Sequence, residues 1–322
     1  MLSVEVYAPQ CRPRWDAFVC DSPCASFMHQ RAFVEYHGSR FSDFSLMIGS
    51  NGKLLAILPA HLEAGGTLVS HRGLGYAGFL FAPGVKTRTA VAIFKKALQF
   101  LHNQGINGLL LRQVPSYQQQ AGRDLSYLPL SWIQARLQFP EVSSVVLPHT
   151  SPRWQLRRRR ALKKARKTGV VVQTEHTWPA CWHLLEQNLW QRHQKRPVHS
   201  LHEIELLART FPQNICLYTA RRQEALLGCM VIFKTTAAWH AQYIASNEAG
   251  RHTGALEAIV AHLLALKPAG RGFSLGVSTL REQNAVNTGL LDWKEGFGAE
   301  PVPHNTWLVE TGNFHMLQNR FL

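Results

Sequence analysis

The sequence lacks the patterns that mark several common kinds of site. Its six cysteines form no CxxC pair and no Cys/His spacing typical of zinc. The glycine-rich segment at 73–78 is not followed by Gly-Lys-Ser/Thr, which excludes a P-loop there. We therefore expect free thiols in a reducing compartment and no metal.

The chain also lacks a long apolar run and has few acidic residues. No stretch of about 18 apolar residues is present, so we predict no membrane span. The first residues carry no basic stretch followed by an apolar one, so we predict no secretory signal and expect a cytoplasmic protein. Lysine and arginine number 35 against 20 aspartates and glutamates, a net charge of +15. This excess favours a nucleic acid, an anionic lipid or a phosphorylated small molecule as partner.

What the chain does contain is the pattern of two successive α/β units. Hydrophobic residues make up 46% of its 322 residues, which is enough for packed cores in two domains. Each half reads in the order helices, hairpin, strand, loop, long helix and strand. The main predicted segments are strands 44–48, 54–61, 67–70 and 108–111 with helix 87–103, then strands 215–220, 225–234, 238–245 and 273–276 with helix 254–266. We predict an α/β protein with mixed sheets and two domains, 1–150 and 151–322.

A strongly basic helix is predicted to open the second domain, over 151–168. Thr150, Ser151 and Pro152 form a suitable helix start, and Gly169 forms a stop. The segment carries nine cations: Arg153, Arg157, Arg158, Arg159, Arg160, Lys163, Lys164, Arg166 and Lys167. They form either a solvated basic face or a phosphate-binding surface for a tRNA backbone or a nucleotide-linked substrate, with Arg157 as a candidate contact.

Three further segments carry candidate site residues, each with a structural alternative. The segment 248–255 either holds a phosphate on its backbone N–H groups or is a plain helix start. The loop 73–78 either binds a substrate or allows close packing of the backbone. In the segment 196–203, His199 could accept a proton with Glu203 orienting it, or Ser200 and Glu203 could form a capping box at a helix start.

The tail at 287–308 combines a lysine with a glycine turn. Lys294 precedes Gly-Phe-Gly at 296–298, where the backbone can bend sharply or come close to another chain or a ligand. Lys294 is either a cation that stabilises an oxyanion or a surface lysine that bonds carbonyls at a helix C-terminus.

These segments together resemble the Fem-type branch of the GNAT acyltransferase superfamily. The resemblance covers nearly the whole chain, from Ser26–His29 through Arg40–Asp43 to the Lys-x-x-Phe-Gly segment at Lys294, and it rests on order and spacing. The segments 196–203 and 242–246 are similar to a subgroup from bacterial surface-polysaccharide regions. The resemblance implies two GNAT-like domains in tandem that face a common cleft.

The resemblance also implies roles for individual residues. Lys294 would stabilise the developing negative charge of an acyl transfer. The segment with Tyr76 and Gly78 would border the acceptor cleft, and Gln242 and Tyr243 would contact substrate.

GNAT enzymes hold the coenzyme A pyrophosphate at a loop that this chain matches in part. Arg251, Gly254 and Ala255 are the candidate cofactor-binding residues. Leu256 departs from the pattern, since it stands where the superfamily has Gly or Ala.

The expected function is transfer of an acyl group, from acyl-CoA, to an amine of a cell-envelope or surface-polysaccharide precursor. Fem-type relatives of known role use aminoacyl-tRNA, so aminoacyl transfer to a peptidoglycan precursor is an alternative that the basic helix favours. A second alternative is a non-catalytic module that binds nucleic acid. The expected partner is a phosphorylated, nucleotide-linked or lipid-linked acceptor, with tRNA as an alternative.

Overall fold

The structure is a computed structural model that describes residues 1–119, 124–148, 150, 152–280 and 285–321. Ser151, which belongs to the predicted start of the basic helix, lies outside the described residues.

Ten α-helices lie in the described part of the chain: α1 (Arg12–Asp21), α2 (Arg31–Val34), α3 (Thr87–Asn103), α4 (Tyr127–Trp132), α5 (Leu156–Lys167), α6 (Pro179–His193), α7 (Leu201–Thr210), α8 (Glu248–Thr253), α9 (Ala255–Leu266) and α10 (Thr288–Glu295). The first ten strands are β1 (Ser3–Val6), β2 (Ser42–Asp43), β3 (Leu46–Ser50), β4 (Lys53–Leu58), β5 (His61–Leu62), β6 (Thr67–Val69), β7 (Leu80–Phe81), β8 (Gly108–Arg112), β9 (Arg136–Phe139) and β10 (Val142–Val146). The others are β11 (Val171–Glu175), β12 (Ile215–Arg222), β13 (Ala225–Lys234), β14 (Ala238–Ser246), β15 (Gly272–Val277), β16 (Thr279–Leu280), β17 (Ala285–Val286), β18 (Glu300–Pro303) and β19 (Thr306–Glu310). The predicted mixed α/β class is confirmed.

The chain divides into two compact units. Unit 1 consists of Met1–Glu141 and Pro303–Leu322, and unit 2 consists of Val142–Val302. The sequence predicts a domain boundary at 150, with the whole C-terminal tail in the second domain. The structure differs because strand pairing crosses that division: β10 pairs with β15 in unit 2, and β19 pairs with β8 in unit 1. Neither pairing leaves a local signal in the sequence.

Unit 1 contains two sheets and one long amphipathic helix. The strand orders are β1-β3-β4-β7 and β2-β5-β6-β8-β19-β9. Helix α3 has the predicted bounds, and its apolar spacing of three and four residues produces one buried face. That face consists of Ala90, Val91, Ile93, Phe94, Ala97, Leu98 and Leu101, all of them predicted core positions.

Unit 2 is built on one seven-stranded sheet of order β11-β12-β13-β14-β15-β10-β18. The strands β12, β13 and β14 form an antiparallel meander. A crossover through α8 and α9 then leads to β15, which runs parallel to β14. Helix α9 packs its apolar face on the sheet, where Ile259, Val260 and Leu263 share a core with Trp239 and Phe273. This crossover positions the candidate site.

The basic helix begins later than the sequence predicted. Helix α5 starts at Leu156 rather than at 151, because its N-cap Gln155 is extended (φ −60°, ψ 151°) and donates its backbone N–H to Gly296 O at 2.9 Å. The predicted stop is confirmed, since Gly169 has a φ of +71° that favours glycine.

Candidate active site

The two parallel strands of unit 2 separate part-way along their length. β14 and β15 pair at 238–240 with 272–274, and both strands run on beyond those residues without pairing to each other. The separated edges carry backbone N–H and C=O groups, which can form hydrogen bonds to an extended ligand. The point of separation is therefore a candidate binding site.

A bulge on β14 accompanies the separation. Val231 of β13 pairs with Tyr243, whereas its neighbour Ile232 pairs with Ala241, so Gln242 is the extra residue. A bulge bends its strand and increases the local twist. The bulge also turns Tyr243 to the sheet face opposite α9, because Ala241 and Ile244 both pack in the α9 core. Gln242 and Tyr243, two predicted substrate contacts, thus lie where the strands diverge.

A histidine and a serine face each other at the last paired position. His240 Nδ1 lies 3.1 Å from Ser274 Oγ, and Gly276 donates its backbone N–H to the same oxygen at 3.2 Å. Gly276 has a φ of +75°, and a Cβ there would lie 3.4 Å from His240 Cε1. This pair was not predicted from the sequence.

One signal for this pair was present in the sequence. Residues 272–276 read Gly-Phe-Ser-Leu-Gly, which fits the Gly-x-Ser-x-Gly pattern of serine hydrolases. That pattern requires a strand-to-helix turn that exposes the serine, whereas Ser274 lies within β15 and is fully buried. The serine therefore orients His240 and is not an exposed nucleophile.

Helix α10 carries Lys294 to the end of β15. Its Nζ donates to Gly276 O at 3.0 Å and to Val277 O at 2.6 Å, and the residue is 3% exposed. Burial lowers the pKa of Lys294 to about 8. Lys294 is thus a buried lysine that bonds strand carbonyls, and the alternative of a surface lysine at a helix C-terminus is wrong.

The Gly-Phe-Gly turn fixes α10 by close packing. Phe297 is fully buried, with its ring centroid 4.9 Å from that of Trp154 and 4.8 Å from that of Trp293. Gly298 has a φ of +79°, and a Cβ there would lie 3.0 Å from Pro152 Cα. The backbone does make a close approach here, but to the segment before α5 of the same chain; an approach to another chain or a ligand stays a prediction.

A tyrosine–histidine pair lies on the β14 side of the separation. His199 Nδ1 is 2.5 Å from Tyr243 Oη, and the backbone N–H of His199 donates to the same oxygen at 3.3 Å. The ring of Trp182 from α6 covers Tyr243 edge-on at 5.2 Å between centroids. Burial raises the pKa of Tyr243 to about 12, and the nearby charge of Glu203 adds to this effect. The hydroxyl therefore stays protonated and can exchange a proton with the imidazole.

Glu203 has a capping role at the start of α7. Its Oε2 accepts the backbone N–H of Ser200 at 2.7 Å, and Ser200 Oγ accepts the backbone N–H of Glu203 at 3.3 Å. The predicted capping box is confirmed. A role for Glu203 in orienting His199 stays a prediction.

The segment expected to hold a pyrophosphate is helical and closely packed. Asn247 caps α8, and Gly254 adopts a left-handed conformation (φ +79°) between α8 and α9. A Cβ on Gly254 would lie 2.4 Å from Ala161 O of α5, and Ala255 is fully buried. Arg251 is exposed and donates to Ser246 O at 2.9 Å. Helix packing explains the two small residues, and their coenzyme A role stays a prediction.

Arg158 anchors the basic helix, whereas Arg157 is exposed. Arg158 is 6% exposed and forms a buried ion pair with Glu257 of α9. Trp293 Nε1 also donates to that carboxylate, at 3.4 Å. Arg157 keeps its predicted availability for phosphate.

Tyr76 and Gly78 lie in unit 1, in a closed loop. Tyr76 is 5% exposed, and burial raises the pKa of its hydroxyl. Gly78 has a φ of +66°, and a Cβ there would lie 3.3 Å from Arg112 O of β8. Both residues have packing roles, and their contact with substrate stays a prediction.

The fold thus brings several predicted residues to one region of unit 2. Tyr243 and Val277 both lie three residues beyond the last paired residues, His240 and Ser274, so the His199–Tyr243 pair and Lys294 flank the same separation. Among the described residues, no group of three or more His, Cys, Asp or Glu side chains could hold a metal ion. No helix within the described ranges is both long and apolar enough to cross a membrane.

The chain is similar to known proteins in its fold. No protein-family model matches the chain, and no curated protein matches it in sequence. The fold is similar to that of FemX, with a TM-score of 0.67, 10% identity, and coverage of 98% of this chain and 99% of that chain. It is also similar to L-PGS from Bacillus licheniformis, with a TM-score of 0.59, 11% identity, and coverage of 96% and 93%.

A tandem GNAT protein from the clavulanic acid biosynthesis pathway gives a further match. The TM-score is 0.52 at 17% identity, with 97% of this chain and 99% of that chain covered. Coverage of nearly the whole length of each protein means that both units take part in the likeness. The fold of this chain is therefore similar, over nearly its whole length, to that of FemX, of L-PGS and of a tandem GNAT protein.

Proposed function

We propose that the protein transfers an acyl group from an activated ester or thioester to an amine, at the separation of β14 and β15. The observation that carries this proposal is the bulge at Gln242, with Lys294 on one side of the separation and the Tyr243–His199 pair on the other. An amine attacks the acyl carbonyl, a C–N bond forms, the bond to the thiol or hydroxyl leaving group breaks, and the leaving group takes up a proton.

Lys294 stabilises the transition state in this proposal. The ammonium group of Lys294 has three N–H donors, and two of them form hydrogen bonds to the carbonyls of Gly276 and Val277. The third N–H is directed at the oxygen on which negative charge develops. In a site that excludes water, such a donor contributes far more than it does in solvent.

Tyr243 and His199 remove the proton from the attacking amine. The Tyr243 hydroxyl passes its own proton to His199 Nδ1 over 2.5 Å as it receives one from the amine. A tyrosine whose pKa is about 12 does not hold a negative charge at neutral pH, so it acts as a relay and the imidazole acts as the base.

Acyl-CoA is the proposed donor. Its pantetheine arm is an extended chain with two amides, which suits the backbone groups on separated strand edges. In this proposal the pyrophosphate binds beside Arg251, which is the exposed arginine of the segment 248–255, whereas Gly254 and Ala255 are closely packed. The proposed acceptor is an amine of a cell-envelope or surface-polysaccharide precursor, which rests on the resemblance of 196–203 and 242–246.

An aminoacyl-tRNA is a second candidate donor, favoured by the exposed cations of α5. Single-turnover assays with labelled acetyl-CoA and with charged tRNA, each with a panel of amino sugars and peptide amines, separate the two. Transfer from the tRNA alone would replace the proposed donor and leave the site in place.

The proton relay has its own test. Tyr243→Phe and His199→Gln should each slow the chemical step by about 10²–10⁴-fold, and the double variant should be no slower than the slower single one. Trp182→Phe, which alters the covering ring and leaves the hydrogen bond, is the matched control. Additive losses in the double variant would exclude a shared proton path.

A further inference from the structure

The segment 153–167 presents cations that have no carboxylate partner in the described structure. Within the described residues, Arg158 is the cation of this segment that pairs with a carboxylate, on Glu257. The others are exposed: Arg153, Arg157, Arg159, Arg160, Lys163, Lys164, Arg166 and Lys167. No acidic residue interrupts them. Such density of like charge is unfavourable unless water or a polyanion screens the repulsion, and a polyanion screens it more strongly.

The packing of α5 turns these cations to one side. Arg158 and Ala165 are buried, and Ala161 O contacts Gly254 closely. With 100° per residue, the seven exposed cations of α5 span about 180° of the helix surface. The ion pair, the packing and the Gly254 contact hold the helix, so its backbone needs no further ordering to bind a partner.

We propose that the exposed arc of α5 docks on an anionic lipid bilayer. Charge complementarity supports the choice of a polyanion, and two features favour a bilayer over nucleic acid. Leu156 is 52% exposed and lies near the middle of the arc, where it can enter the headgroup region. The aromatic residue of this segment, Trp154, packs against Phe297, so the arc offers no ring for stacking on bases.

The docking is electrostatic with one shallow apolar contact. Each lysine or arginine near an anionic surface adds favourable free energy that falls off within a Debye length. Binding should therefore require anionic lipid and weaken steeply with added salt. The proposal does not rest on acyl transfer from acyl-CoA, since it is argued from the charge and packing of α5 alone.

The test is co-sedimentation of the full chain with vesicles. Vesicles of phosphatidylcholine with about one third phosphatidylglycerol should bind the protein, and pure phosphatidylcholine vesicles should not. The triple variant Arg160→Glu, Lys163→Glu and Lys167→Glu should bind at least about a hundredfold more weakly. Lys53→Glu, Arg192→Glu and Arg209→Glu change the same number of exposed charges elsewhere and should bind as the parent does.

Leu156→Ser distinguishes binding to a bilayer from binding to another polyanion. It should weaken vesicle binding by about threefold and leave binding to a duplex RNA unchanged. Circular dichroism confirms that each variant is folded. The proposal is overturned if the triple variant binds vesicles as the parent does. Tighter binding to duplex RNA than to vesicles at equal phosphate concentration would also overturn it, and would favour the tRNA donor.

Discussion

Each unit contains a pair of parallel strands joined by a helical crossover. The edge beyond the paired residues is covered by a folded-back segment in unit 1, whereas the two strands separate in unit 2. In each unit a strand leads through a helical crossover to a parallel neighbour, β6 to β8 and β14 to β15. In unit 1 the segment after β6 folds back onto β8: Ala77 N donates to Arg112 O at 3.1 Å, and Arg112 Nη1 donates to Leu74 O at 2.9 Å. In unit 2 the two strands diverge at the Gln242 bulge.

The two units also bury different polar groups. Unit 1 buries a cluster of histidine rings, with centroids of His37 and His61 each about 5 Å from that of His71. Unit 2 buries Lys294 at the open strand edge and the Arg158–Glu257 pair beneath the basic helix. Units of a similar strand-crossover-strand arrangement thus bury different polar groups, a histidine cluster in unit 1 and a lysine and an ion pair in unit 2.

The largest expected difference between the units is their response to acid. Burial lowers the pKa of His29 to about 4 and that of His71 to about 2, and it also lowers the pKa of His61. Because the unfolded chain binds these protons near pH 6.5, the stability is present above that pH and is lost as the pH falls below it. The free energy of unfolding of unit 1 should fall by about 1.4 kcal/mol per pH unit for each histidine.

Hydrogen exchange resolved by unit measures this effect. Unit 1 should open before unit 2 as the pH falls from about 6.5 towards 4. His29→Gln should reduce the slope of the free energy of unfolding of unit 1 against pH. Equal acid sensitivity of the two units would show that the histidine cluster is not the cause.

Lys294→Met should slow acyl transfer by about 10²–10³-fold, because it removes the donor directed at the developing negative charge. Thr311→Val is the matched change in unit 1, since it removes one buried hydroxyl, which donates to Ile106 O at 2.7 Å, and it should change the rate less than about twofold. If both variants lost the same factor in transfer rate, residues of both units would be needed for the reaction. Single-turnover rates with excess enzyme make the comparison.

The pH dependence of the rate sharpens the role of Lys294. Its folded pKa is about 8, and only the ammonium form stabilises the oxyanion. The transfer rate should therefore fall as the pH rises through about 8, by up to tenfold per unit. In Lys294→Arg the fall of the rate above pH 8 should disappear, whatever the absolute rate of that variant. If the rate still falls there, the fall is due to another titrating group.

Two glycines with the same φ test the packing of α5 on α9. Gly254 and Gly84 both have a φ of +79°, but a Cβ on Gly84 meets no atom within 4 Å, whereas one on Gly254 meets Ala161 O at 2.4 Å. Gly84→Ala should lower the free energy of unfolding by about 1 kcal/mol, and Gly254→Ala by about 3 kcal/mol. Denaturant titration of both variants is the measurement. Equal losses would mean that α5 can move away from α9.

The smallest effect is expected at the capping box of α7. Ser200→Ala should lower the free energy of unfolding by about 1 kcal/mol and leave the transfer rate unchanged. Glu203→Gln keeps an oxygen that can accept the Ser200 N–H, so both stability and rate should be nearly those of the parent. A tenfold slower rate in Glu203→Gln would instead support its predicted role in orienting His199.

The sequence predicted most helices and strands because their signals are local. The apolar face of α3 follows from its spacing, and the capping box follows from Ser200 and Glu203 standing three residues apart. The extended start of α5 was missed because Gln155 is held by Gly296, which is distant in sequence.

The site was only partly predictable for the same reason. Lys294, His199 and Tyr243 were identified as candidates from their motifs, but nothing local indicated that Tyr243 holds His199 or that Lys294 bonds the end of β15. The sequence left Gly254 open between a phosphate-binding loop and a plain helix start, and it carried no sign of the close approach of Ala161.

By itself, the sequence determined the elements, their order in two similar halves, and the excess of positive charge. Only the tertiary structure decided that β10 pairs with strands of the second half and β19 with strands of the first half. It also decided that β14 and β15 diverge and which cations are buried. Periodicity and capping depend on neighbours a few residues apart. Strand pairing and burial depend on contacts between residues far apart in the chain, for which one sequence carries no local record.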